Sequence, residues 1–196
     1  MARPKYGDND ILATEKLFNS FWGLLEEHTY SDISVVKLCK IAGINKNTFY
    51  YHFDNLDDMA VSLIESSMDE QFAICVLQAA LTDNVQDFDG SDMVSKGQEQ
   101  FKHLCLLVGN HSHPLLINTL KESVLKVWLK LLKKTEEEMS MDLYIAATFA
   151  INGLFSLLAL NNRENNFARV TIPELLQKDF IRDILKTIVH IINPPV

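Results

Sequence analysis

Residues 44 to 53 read "INKNTFYYHF" and crowd a lysine, two amides, a hydroxyl, two phenols and an imidazole into ten positions. Such groups suit a polar, extended ligand better than bond-making chemistry. The chain has no glycine-rich phosphate loop, nucleophile elbow or paired acid/base constellation, and these absences argue against an enzyme. Spacing sorts the stretch into two sides. Ile44, Phe49 and Phe53 can point inward, while Lys46 and Tyr50, like Asn47 and Tyr51, lie one helical turn apart on the other side. With Thr48 and His52 they make an exposed polar face. A major groove accepts such a helix, and these groups can donate to phosphates or read base edges. The plainer alternative is two half-buried tyrosines with solvated polar neighbours.

The elements that must position this face are legible upstream. Asp8 and Asp10 open a helix on which Ile11, Leu17, Phe18, Phe21, Trp22, Leu24 and Leu25 form one broad apolar face, ending near His28. Ser34 is a good N-cap, with Ile33 and Leu38 as a hydrophobic staple, and a second helix runs from Val35 to Ala42. Gly43 can take the positive φ of a sharp exit. Asn45 caps the next helix, with Ile44 and Phe49 as its staple. Two capped helices separated by a glycine-containing turn make a helix-turn-helix.

Composition sets the frame. The 196 residues are 47% hydrophobic and 22% charged, with only 7 glycines and 5 prolines, so long helices in an all-α protein are expected. The net charge is −8. Through Asn55 six bases face seven acids, so the N-terminal part is near neutral and the acidity lies downstream. Cys39, Cys75 and Cys105 have no metal or redox spacing and read as core residues of a reducing cytosol. Residues 1 to 10 carry no apolar core of a secretory signal, in keeping with a cytoplasmic protein.

The run from Ile11 to Met59 resembles the DNA-binding domain of the TetR family of bacterial transcriptional regulators. The resemblance rests on "ILATEKLF", on "SVVKLCKIAGINKNTFYYHF" and on the "DNLDDM" that begins a fourth helix. It implies a three-helix DNA-binding domain over residues 1–54 and a larger helical effector-binding and dimerisation domain over 55–196. Carried over by position, it makes Lys46, Asn47, Thr48 and Tyr51 groove residues and Tyr50 and His52 phosphate clamps. Ser34 and Lys37 would touch the DNA backbone. Two departures stand out. Asn47 replaces a common glycine, and Leu56, followed by Asp57 and Asp58, replaces a frequent phosphate-binding lysine. Affinity would then rest more on Arg3 and Lys5.

Downstream, Met59, Leu63, Ile64, Met68, Phe72 and Cys75 suggest a long fourth helix towards Leu81. A polar loop, "TDNVQDFDGSD", precedes a helix ending near Gly109, and Ser112 and Pro114 start another. Lys126, Lys130, Lys133 and Lys134 read as a solvated face near its end. The uncharged "LYIAATFAINGLFSLLALNN" reaches the length of a membrane span. Its polar stripe Thr148, Asn152, Ser156 and the lack of basic anchors point instead to a helix buried on several sides. The last helix opens with a Thr171–Glu174 capping box and Pro173, carries a heavy apolar face and stops at Asn193-Pro194-Pro195. Two such helices exceed one monomer's needs, so a homodimer through 142–161 and 172–192 is expected. His103, His111 and His113 fit capping and turn duty better than a metal site.

The expectation is therefore a sequence-specific transcriptional regulator that binds a palindromic operator in double-stranded DNA. It would be a repressor relieved by a small-molecule effector held among Met68, Phe72, Phe101 and Trp128, with no other cofactor, no metal and no membrane. The rival reading is a TetR-like dimeric protein-interaction module acting as a co-regulator through a partner protein.

Overall fold

The computed structural model describes residues 8–67, 91–131, 133–160 and 178–192. Among them it is all-helical, as expected. In chain order come α1 (Asp8–Glu27), a 3-10 turn (Tyr30–Asp32), α2 (Val35–Ala42), α3 (Lys46–His52) and α4 (Leu56–Ser67). They are followed by α5 (Ser91–Val108), α6 (Pro114–Leu131), α7 (Met141–Ala159) and α8 (Asp179–Ile192). Arg3, Lys5, Met68, Phe72, Cys75, Leu81 and the expected signals at Thr171, Pro173, Glu174 and Asn193 to Pro195 lie outside the described residues. Ser91 and Asp92, read as the end of a loop, belong to the first turn of α5.

Apolar spacing decides the packing. Leu17, Phe21, Trp22, Leu24 and Leu25 of α1 are buried against Leu38 and Cys39 of α2, Phe49 of α3 and Met59, Leu63 and Ile64 of α4. Ile11 departs from the expected apolar face: it is 49% exposed, whereas Ala13 and Leu17 further along α1 are buried. The same hydrophobic cluster continues through Leu116, Leu120 and Trp128 of α6 and on to Leu185 and Ile188 of α8. Helix α4 packs on α6 and α1 touches α5, so the helices around the helix-turn-helix join the later ones by continuous apolar contact. Helix α7 packs against α5, α6 and α8. It is long and apolar enough to cross a membrane, yet Leu143, Ala147, Ile151, Phe155 and Leu158 bury one side of it in this core.

Among the described residues two helix ends use the left-handed conformation, with opposite suitability. Gly43 closes α2 at φ 66°, and a Cβ built on it meets no atom within 4 Å, so only backbone strain resists a side chain there. Lys133 closes α6 at φ 54°. Its N–H donates to the Lys130 carbonyl at 3.1 Å, and that of Lys134 donates to Leu129 at 2.9 Å, the paired bonds of a Schellman ending. Glycine is the residue that tolerates this geometry. Gly43→Ala should therefore destabilise the fold by about 1 kcal/mol, and Lys133→Gly should stabilise it by roughly 0.5–1 kcal/mol. Denaturant midpoints of the two variants against the parent check both signs.

Candidate nucleic-acid interface

The local chemistry that shapes the helix-turn-helix is the one the sequence announces. Ser34 caps α2, its Oγ accepting from the Lys37 N–H at 3.2 Å. After the left-handed Gly43, Asn45 Oδ1 accepts from both the backbone N–H of Thr48 at 2.8 Å and its hydroxyl at 3.1 Å. The Thr48 hydroxyl thus helps to fix the start of α3. At the other end the Phe53 N–H donates to the Phe49 carbonyl at 2.9 Å.

Aromatic packing sets the rotation of α3 about its axis. Phe49 and Phe53 are buried with ring centroids 5.7 Å apart, and Phe18 of α1 lies 6.0 Å from Phe53. That leaves Lys46, Asn47, Tyr50 and Tyr51 exposed, with Tyr51 at 61%. Ser34 is also exposed, while Lys37 and Thr48 are half-buried. The Tyr50 ring meets Phe49 edge-on at 5.3 Å, which steadies the phenol while its outer part stays in solvent.

His52 is not on this face. It is 2% exposed, beside Phe53 on the core side, with the Tyr51 ring edge-on at 5.0 Å. The spacing explains why: Phe49, His52 and Phe53 stand at i, i+3 and i+4, one side of a helix. An imidazole there is not offered to a phosphate from outside.

The acids at the start of α4 turn out to have structural work. Asn55 caps α4 by accepting from the Asp58 N–H, and the Asp58 carboxylate accepts from the Asp54 N–H, each at 2.9 Å. The Asp57 carboxylate accepts from the Tyr30 hydroxyl at 2.5 Å. Burial, then the hydrogen bond to Asp57 and its charge, push the Tyr30 phenol far above its ordinary range, so it remains a donor at any working pH. Leu56 is half-buried against the core rather than free to reach outward. Sequence reading missed the Tyr30–Asp57 pair, which joins residues 27 apart with no local pattern to announce it.

Of the expected effector residues within the described chain, Trp128 is buried in the core cluster and Phe101 packs against it. His111 and His113 take turn and capping positions, whereas His103 lies within α5: His113 Nδ1 accepts from the Leu115 N–H at 3.2 Å, and His111 Nδ1 lies 3.0 Å from the Leu25 carbonyl. His103 stacks flat on Trp22, centroids 4.0 Å apart. Among the described residues no group of three or more His, Cys, Asp or Glu is arranged to hold a metal ion. Burial raises the Cys39 thiol, with the Lys46 charge opposing it, in keeping with an unreactive core thiol.

No family model matches the chain. Curated relatives named HTH-type transcriptional regulator EthR, from Mycobacterium tuberculosis and Mycobacterium bovis, are 34% identical to it over 102 residues. The aligned stretch is 51% of this chain and 43% of theirs, so the chain spans less than half the length of the relatives it matches.

Burial separates two neighbours on α3. His52→Ala should lower unfolding stability by roughly 1–3 kcal/mol, whereas Tyr51→Ala should change it by about 0.5 kcal/mol or less. Thermal unfolding followed by circular dichroism distinguishes them, and equal effects would mean that α3 is rotated from the position described.

Proposed function

We propose that this chain is a TetR-type helix-turn-helix regulator, which binds a palindromic operator as a homodimer and regulates transcription. The observation that carries the reading is the capped α3, which turns Lys46, Asn47, Tyr50 and Tyr51 outward while Phe49 and Phe53 anchor it. Lys46, Asn47, Thr48 and Tyr51 enter the major groove. Tyr50 holds a phosphate, and Ser34 and Lys37 steady the backbone from the start of α2. The head comprises residues 1–54 and the body 55–196.

The dimer runs through α7 and α8. Ile145 and Phe149 of α7 and Phe180 of α8 are large, apolar and exposed, Phe149 at 67%. Leaving such side chains in water forfeits about 25 cal/mol for every Å² that a second copy would cover. The two helices already pack together, so a two-fold axis would build a four-helix interface. Within one chain nothing lies within 4 Å of a Cβ built on Gly153, which leaves room there for the proposed partner helix to approach.

Repression relieved by a small molecule is the mode favoured here, the effector acting on the region of Phe101 and Trp128, and of Met68 and Phe72, to tilt α4. The two recognition helices must stand about 34–36 Å apart to meet successive major grooves, so a modest tilt suffices to release DNA. The rival protein-interaction module draws its weight from the missing lysine at Leu56 and from the acidic balance of the chain, to which Asp57 and Asp58 contribute. Those two acids have capping and hydrogen-bonding duties within the fold, and a protein-interaction module has no use for the polar set that α3 turns outward.

Two experiments test the reading. Binding of the purified protein to promoter DNA beside its own gene should be measurable by fluorescence anisotropy. Asn47→Ala should relax discrimination at one or two base pairs, losing about 1–3 kcal/mol there, while Tyr50→Phe should weaken binding on all sequences. An Asn47 variant with the parental sequence preference would remove that residue from base reading. For the dimer, Gly153→Leu and Phe149→Asp should each give monomers by light scattering, with helical content retained. A stable dimer from both would exclude the α7–α8 interface.

A further inference from the structure

Several of the contacts that seat the proposed head on the body meet at one residue outside the recognition helix. Tyr30 lies buried in the 3-10 turn between α1 and α2. Its backbone N–H donates to the His111 carbonyl at 2.8 Å, its ring lies 5.4 Å from that of His113, and its phenol donates to Asp57 at 2.5 Å. His111 and His113 belong to the loop between α5 and α6, and Asp57 to the first turn of α4. The loop is itself held in place. A carbonyl only accepts, so His111 Nδ1 donates to Leu25 in the last turn of α1, and the Ser112 hydroxyl donates to the Leu107 carbonyl.

We propose that Tyr30 is a positioning residue for DNA binding, linking the start of α4 to the α5–α6 loop and so fixing the tilt at which the body carries the head. The proposal rests on the dimeric DNA-binding reading above. Elsewhere α4 is held by Met59, Ala60, Leu63 and Ile64, whose apolar burial is non-directional. It favours contact with α6 but tolerates sliding and rotation. A charge-assisted phenol–carboxylate bond specifies both distance and angle. Phenylalanine would fill the same volume, so the hydroxyl is the part that needs a reason, and pinning α4 supplies one.

Tyr30→Phe tests this, since it removes one bond and leaves the ring and the backbone N–H. An operator selected from random DNA by the parent protein is compared with versions whose half-sites are moved by a base pair in either direction. The variant should keep parental helical content and dimer state. It should bind the selected operator roughly 3- to 30-fold more weakly and lose much less on the respaced ones, so that spacing preference flattens. Asp57→Ala should reproduce this, Asp57→Asn, which keeps an acceptor, should largely restore the preference, and the double variant Tyr30→Phe/Asp57→Ala should be no worse than either single one. Equal loss at every spacing, or an unchanged preference, would overturn the proposal. Hydrogen exchange without DNA supplies a second readout: Tyr30→Phe should speed exchange at the start of α4 and in residues 109–113 together. A change confined to the 3-10 turn would overturn it as well. Failure of the parent to bind any selected DNA would instead strike the DNA-binding reading, and the exchange result would still decide the role of Tyr30.

Discussion

Burial of Phe49 and Phe53 is what makes α3 a helix at all. Its seven residues form about two turns, well short of the roughly 12–15 residues that an isolated helix needs in water. The stability of α3 is therefore borrowed from α1 and α2, whose Phe21, Leu25 and Leu38 complete the pocket. The borrowing also fixes orientation. Once both phenylalanines are inside, the angular spacing of the helix leaves Lys46, Asn47, Tyr50 and Tyr51 outside. The caps at Asn45 and Ser34 and the left-handed Gly43 then set where each helix starts and how sharply the chain turns. A rigid polar surface is in this sense a by-product of a small apolar core.

Local rules were enough to read most of that from sequence. Caps, staples and a glycine exit act over three to five residues, so Ser34, Gly43 and Asn45 were identifiable from their neighbours alone. His52 departs from the phosphate contact that the family resemblance implies, because its position on the helix outweighs its type. An imidazole suggests solvent, but the place three residues after Phe49 and one before Phe53 lies on the core side. Ile11 failed in the opposite direction. Its spacing matches the apolar face of α1, and no local rule says where the covering elements stop.

Long-range pairing was not legible. Tyr30 meets Asp57 across 27 residues and His111 meets Leu25 across 86, and neither pair carries a periodicity or motif. Without those partners the acids beside Leu56 could be read only as charge, and charge there pointed to weakened DNA contact. With the partners known, Asp58 ties off the start of α4 and Asp57 ties α4 to the turn before α2. Charge counted along a sequence thus overstates what solvent or a phosphate would meet, because part of it is already engaged within the fold.

Helix α7 presents the same problem in apolar form. By length and composition it resembles a membrane span, and burial inside one chain accounts for only one side of it. The other side mixes exposed Tyr144, Ile145 and Phe149 with Thr148, Asn152 and Ser156, and the Asn152 amide donates to the Thr148 carbonyl at 2.7 Å. Lipid would favour the first group and penalise the second. Open water would do the reverse. A protein surface of like composition suits both, because apolar side chains interdigitate there and polar ones find partners. In the proposed dimer the two-fold axis supplies such a surface at no cost in new sequence, since each copy offers the other the face it needs covered.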